Sequence, residues 1–159
     1  MIKLDDRDLK ILSILQTEGR ITKAALAERI SLSPTPCWDR LKRLEAAGII
    51  EGYNAQISIN SFGPLTVIFM QAELESHQDH DFKQFEAAIQ RIPEIVSCWA
   101  VGGGVDYFLQ FATKDVEAYQ NLVDQILKQN IGLKRYFTYI VTKQVKDVPF
   151  PTVPLSHAE

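Results

Sequence analysis

Between Pro64 and Val145 the spacing of apolar residues alternates between two periods, and the order of those changes restricts the fold more than any single motif. PLTVIFMQAEL is β-branched and apolar, as a buried strand requires, and DFKQFEAAIQRI then sets Phe82, Phe85, Ile89 and Ile92 at helical spacing. IVSCWAV and DYFLQFAT read as two strands joined by a turn at Gly102, Gly103 and Gly104. Asp115 next caps VEAYQNLVDQILKQ, where Val116, Tyr119, Val123, Ile126 and Leu127 form a stripe, and LKRYFTYIVTKQV alternates as a last strand. The order strand, helix, strand, strand, helix, strand is that of a split βαβ or ferredoxin-like unit, with two βαβ halves of similar length.

The first fifty residues have a different character, because they carry three helical patterns and no strand. Asp5 can cap a helix whose third position is Asp8, and Leu9, Leu12 and Leu15, flanked by Ile11 and Ile14, supply its apolar stripe before Gly19. Thr22 caps a second helix from Lys23 to about Arg29, with Leu26 and Ile30 inward and small alanines permitting close packing. Ser31 and Leu32 then make a tight connection to SPTPCWDRLKRLE. In that stretch Ser33 is the N-cap, and Pro34 takes the first helical position, where its fixed φ suits the helix and its missing N–H costs nothing. Pro36 falls at the third. Cys37, Leu41 and Leu44 share one face; Thr35, Asp39, Lys42 and Arg43 gather on the other, with Trp38 at its edge and Arg40 on the far flank.

Such a pattern predicts a helix-turn-helix whose third helix enters the major groove of double-stranded DNA. A helix N-terminus with Ser and Thr donates to phosphates, and Arg and Lys add charge neutralisation and base contacts. Ser33, Thr35, Trp38, Asp39, Arg40, Lys42 and Arg43 are the expected DNA-binding residues. The pattern is equally that of a core helix with a solvated face, and Trp38 suits packing on a neighbour as well as contact with DNA.

Charge supports a division of labour. Residues 1–52 hold 9 cations and 8 anions and the remainder 8 and 12, so a chain of net charge −3 keeps its positive balance in the N-terminal part. Apolar runs such as Pro64 to Met70 fall well short of the roughly 20 residues of a membrane span, and MIKLDDRD lacks the apolar core of a signal peptide. A cytoplasmic protein is expected. Cys37 and Cys98 lie too far apart in sequence to suggest a disulfide framework or zinc site, and both are expected to be small core residues. His77 and His80 have an HxxH spacing that suits a metal, but ESHQDHD reads better as a polar helix N-terminus. Phe82, Phe85, Tyr119 and Phe137 are expected in the core. No spacing pairs a nucleophile with a base, so neither enzymatic activity nor a metal or cofactor is expected.

SLSPTPCWDRLKRLEAAGIIEGYNAQI resembles the DNA-binding segment of the Lrp/AsnC, or feast/famine, transcription regulators, and DDRDLKILSILQTEGRIT resembles their opening helix. The resemblance continues through VGGGVDYFLQ and TYIVTKQVK. It implies an α+β chain: a winged helix-turn-helix over 1–52 with a wing-like hairpin at Ile49 to Tyr53, a linker strand and hinge over 53–63, a ferredoxin-like effector and oligomerisation domain over 64–146, and a tail over 147–159 that is extended or disordered. It also implies homodimers that assemble further, often to octamers, and an amino acid or related metabolite as effector. That effector would sit between C-terminal domains near Gly102, Gly103, Gly104, Val105, Asp106 and Tyr107, and near Thr138. The family turn usually reads glycine, acid, any residue, aspartate, then an apolar or aromatic residue, and here Gly104 stands at the first acid. Either Asp106 alone suffices, or the effector presents no free amine there, or there is no small effector. An architectural protein that wraps DNA, and a small-molecule enzyme on the ferredoxin-like domain, are the alternative functions.

Overall fold

The computed structural model describes residues 3–58, 61 and 63–149, which fall into two compact units, one of residues 3–57 with 146–149 and one of the described residues of 58–145. The part of the linker at residues 59, 60 and 62, and the tail from residue 150, lie outside the described residues.

The first unit is three helices: α1 (Asp6–Thr17), α2 (Lys23–Arg29) and α3 (Pro34–Ala46). Local chemistry fixes each boundary. Asp5 accepts from the N–H groups of Arg7 and Asp8 while the Asp8 carboxylate accepts from the Asp5 N–H at 3.0 Å, a reciprocal capping box. Thr22 Oγ1 accepts from Ala25 N–H at 3.2 Å. Both α2 and α3 end in Schellman turns. Leu32 N–H donates to Ala27 and Ser31 N–H to Glu28; Ile49 N–H donates to Leu44 and Gly48 N–H to Glu45. The residue that must adopt positive φ is Gly48 (φ 68) after α3 but Ser31 (φ 55) after α2. Ile11, Leu26, Ala27, Ile30, Cys37, Leu41 and Leu44 form the buried core, each burying its side chain for about 1.5–3 kcal/mol where it is a large aliphatic.

Ser33 is the N-cap of α3, yet its side chain makes no capping bond. Of the two backbone donors an N-cap side chain usually takes, the one at the third helical position is absent because that residue is Pro36, and the Thr35 N–H is not used either. The anticipated hairpin at Ile49 to Tyr53 and the strand beyond it form no ladder among the described residues; the N–H groups of Ile49 and Ile50 both donate to Leu44 O at the end of α3 instead. The chain after α3 is held instead by Tyr53, whose hydroxyl donates to Glu45 at 2.8 Å; burial and then the Glu45 carboxylate push that phenol up to about 12.

The second unit follows the order β1 (Thr66–Leu74), α4 (Asp79–Ile89), β2 (Ile95–Ala100), β3 (Tyr107–Thr113), α5 (Val116–Lys128), β4 (Leu133–Ile140). Its sheet has the order β2-β3-β1-β4 with every pair antiparallel, the ferredoxin-like arrangement. Ile68, Met70, Ala72 and Leu74 of β1 and Tyr107, Leu109 and Phe111 of β3 face the core with Phe85, Ile89, Tyr119, Val123 and Ile126 of the helices. One face of the central strands β1 and β3 is thereby covered by the helices, and the opposite face of the sheet is open.

That one-sided cover corrects three expectations. Phe137 pairs with Gln71 on the open face and is 46% exposed rather than in the core. Cys37 is buried as anticipated, but Cys98 is exposed, because β2 is an edge strand that the helices do not fully cover. Val116 and Leu127 belong to the α5 stripe by spacing, yet both are exposed; the buried positions are Tyr119, Val123 and Ile126.

Candidate DNA-binding and effector sites

The outward face of α3 runs along its first three turns. Ser33, Thr35, Asp39, Lys42 and Arg43 are exposed, while Trp38 and Arg40 are half-buried. Trp38 is tied to α2: Lys23 Nζ lies 3.1 Å from the centre of its rings and Lys42 Nζ 5.0 Å, so two ammonium groups from different helices meet on one indole. Sequence reasoning missed Lys23, whose place just after the N-cap of α2 brings it against α3.

Arg40 and Arg43 are engaged elsewhere. Arg40 Nη1 donates to Asp5 Oδ2 at 2.7 Å and to Asp8 Oδ1 at 2.9 Å, and Arg43 Nη2 donates to Asp8 Oδ2. Asp8 is wholly buried, so its charge is compensated by both arginines and by the Asp5 N–H. The Asp5 carboxyl is held below its ordinary range, first by the Asp8 N–H it accepts and also by Arg40, whose own guanidinium is held more firmly protonated. The cations left with their charge toward solvent on this face are therefore centred on Lys42 and Lys23, and those arginines fasten α3 to α1.

In the second unit, the turn of residues 101–106 joins β2 to β3. Gly102, Gly103 and Gly104 are exposed, Val105 and Asp106 half-buried, and Tyr107 buried. Gly103 has φ 155, a conformation that side chains disfavour; Gly104 has an ordinary φ and open space where a Cβ would stand. Asp106 is the anchor of the turn. Its N–H donates to Ala72 O at 2.9 Å, its carbonyl accepts from Val101 N–H at 2.9 Å, and its Oδ2 accepts from Leu74 N–H at 2.8 Å. Its other oxygen lies 3.0 Å from His77 Nε2. Tyr107 stacks 4.7 Å from Phe85 and donates to Glu86 Oε1 at 2.9 Å; burial, reinforced by Glu86, raises its phenol well above the usual value.

Thr138 does not join this group within one chain. It pairs with Met70 on β4, with β1 between it and β3, and its hydroxyl meets the Tyr119 hydroxyl at 2.7 Å. Of the HxxH pair, His80 faces Asp81 at 3.1 Å and His77 faces Asp106, so the two rings serve different partners. His77 and Glu86 were not assigned to the turn from sequence. A contact between residues 29 apart in sequence has no periodic signature.

A three-helix unit with an open polar third helix, followed by a ferredoxin-like unit, defines a DNA-binding regulator with a separate ligand-binding domain. Residues 4–51 match the model of a winged helix-turn-helix DNA-binding domain, and residues 67–149 match the Lrp/AsnC ligand binding domain. The chain belongs to the Lrp/AsnC family of transcription regulators. It is 50% identical over 145 residues to the transcriptional regulatory protein DoeX of Halomonas elongata, spanning 91% of this chain and 92% of that one. It is 38% identical over 143 residues to the leucine-responsive regulatory protein of Salmonella typhimurium, spanning 90% and 87%. Among solved structures, a Neisseria meningitidis transcriptional regulator in complex with L-Met matches with a TM-score of 0.88 at 36% identity, over 98% of this chain and 99% of that one. These relatives are regulators and not enzymes, and no helix among the described residues is long and apolar enough to cross a membrane.

Proposed function

We propose that the protein acts in the cytoplasm, on the nucleoid, as a homodimer that reads a pseudo-palindromic DNA site with paired α3 helices. An amino acid or close derivative, held near residues 102–107, changes its affinity for that site. The observation that carries the reading is the exposed start of α3: Ser33 and Thr35 stand at the helix N-terminus with Lys42 about two turns on and Lys23 beside it on Trp38. The Ser33 hydroxyl makes no capping bond, which leaves it available to a phosphate. Arg40 and Arg43 act by holding α3 in place through Asp8.

The dimer is supported by the open sheet face, where Trp99, Phe137 and Tyr139 are each about half exposed. A second copy buries such a surface by two-fold symmetry, and further pairing gives the octamers expected of the family. The amino-acid effector is supported by the L-Met held by the Neisseria relative and by the Asp106 carboxylate at the turn. A ligand that favours one of two assemblies shifts DNA affinity by its differential binding to them. A thermal-shift screen against amino acids and their acylated, deaminated and decarboxylated relatives tests this, since a ligand that binds only the folded protein raises Tm by mass action. A hit is expected. Its absence across the whole panel would leave DNA binding in place and remove the effector.

A further inference from the structure

The turn at residues 101–106 offers one carboxylate, Asp106, and the chain already uses both of its oxygens. Oδ2 accepts the Leu74 N–H at 2.8 Å, which pins the turn to the end of β1 and is structural. Oδ1 faces His77 Nε2 at 3.0 Å. An ionised carboxylate only accepts, so Nε2 carries the proton in this contact. With glycine at 104, no second acid stands beside it.

Resting on the reading that the effector's ammonium group binds at this turn, we propose that His77 is its built-in competitor: the ammonium group must displace the imidazole from Asp106 Oδ1 to bind. The placement of His77 supports this. It precedes Gln78, the N-cap of α4, and its ring lies 6.0 Å from that of Phe82, the contact of a staple at a helix start. Phe82 in turn lies 6.2 Å from the Tyr107 ring. The imidazole is thus aimed at Asp106 from an ordered base, yet its side chain is 62% exposed and can swing out without opening the core.

The competition depends on protons. A neutral imidazole gives Asp106 one ordinary hydrogen bond, whereas an imidazolium gives it a charge-assisted one and a matching charge. The α-ammonium of an amino acid keeps its charge across this range, so acidification strengthens the competitor alone. The other ionisable groups near His77 are engaged or lie along the chain beside it. Asp79 is paired with Lys83 at 2.6 Å, Asp81 with His80 at 3.1 Å and Glu86 with Tyr107 at 2.9 Å, while Glu75 lies two residues before it. None of them replaces His77 on Asp106 Oδ1.

The test is calorimetric titration of the full chain with each of the twenty standard amino acids, L-methionine first, at pH 7.5 and 5.5, for the wild type, H77Q, H77K and D106N. One competing proton weakens binding by at most about tenfold per pH unit, so wild-type binding is expected to be several-fold weaker at pH 5.5 than at pH 7.5. H77Q, a neutral donor at both, is expected to bind equally at both, and H77K, a permanent cation, to bind weakly at both. An equal pH slope in wild type and H77Q, with binding lost in D106N, would overturn the role of His77 and leave the site standing. No binding by any amino acid, or undiminished binding in D106N, would overturn the site itself and the competitor with it.

Discussion

Arg40 of α3 donates to Asp8 of α1 at 2.9 Å, and the accepting carboxylate is completely buried. Arg43 shares the same carboxylate, so two of the three cations on α3 are anchors. Removing Asp8 leaves Arg43 without its carboxylate, Arg40 with Asp5 alone, and the Asp5 N–H without an acceptor. Because both arginines are partly solvated, Asp8→Ala is expected to cost about 2–3 kcal/mol, below the range for a fully buried pair. For DNA the consequence divides by residue. Lys42→Gln lowers the slope of log affinity against log salt by about 0.9, one phosphate's worth, whereas Arg40→Gln weakens the fold and leaves that slope unchanged. Chemical denaturation and salt-dependent DNA titration check the two parts.

Ser31 occupies the position after α2 that a Schellman turn gives to a left-handed residue, with φ 55. The corresponding position after α3 is Gly48. Ser31→Gly removes the steric cost of that conformation at a site with no other duty in the turn. It is expected to raise stability by up to about 1 kcal/mol, read from the denaturation midpoint at unchanged slope.

Asp5 makes a pH-dependent contribution to the first unit. Its folded pKa lies below the ordinary value, through the Asp8 N–H first and Arg40 as well. A depressed carboxyl stabilises the fold above its unfolded pKa of about 3.9 and loses that stabilisation as pH falls through the folded value. Asp5→Asn keeps a capping oxygen and discards the charge. Wild type is therefore expected to melt above Asp5→Asn at pH 7, with the difference closing as pH falls below about 4.

Gly104 stands where the family turn usually carries an acid, with an ordinary φ and nothing within 4 Å of a built Cβ. Gly104→Asp should therefore fold normally. A second carboxylate beside Asp106 supplies a charge-assisted hydrogen bond of about 1.5–3 kcal/mol, so an amino acid with a free α-amine is expected to bind about tenfold tighter or better. Calorimetry measures it, and unchanged affinity would place the amine elsewhere.

The sequence made the elements legible because each boundary carried its own chemistry: Asp5, Thr22 and Asp115 cap as their spacing predicts, Gly48 stops α3, and the order of periods predicts the sheet. What it did not carry was pairing between distant residues. Asp8 was legible as a capping residue but not as the anchor of Arg40 and Arg43, which lie 32 and 35 residues away. The same limit hid Lys23 on Trp38 and His77 on Asp106. Phe137 and Cys98 were misplaced because alternation marks two faces of a strand without saying which one the helices cover, or where the sheet ends.

The most direct test of the central claim is a protection footprint of the purified full chain on the DNA upstream of its own gene and neighbouring genes at moderate salt, for wild type and for Thr35→Ala with Lys42→Ala. The account predicts discrete, two-fold-related protected segments for the wild type, spaced by one or more helical turns, and their loss in the double variant while its thermal melting is unchanged. Protection that survives in the double variant, or wild-type protein that protects no discrete segment, would contradict the reading of α3 as the element that recognises DNA.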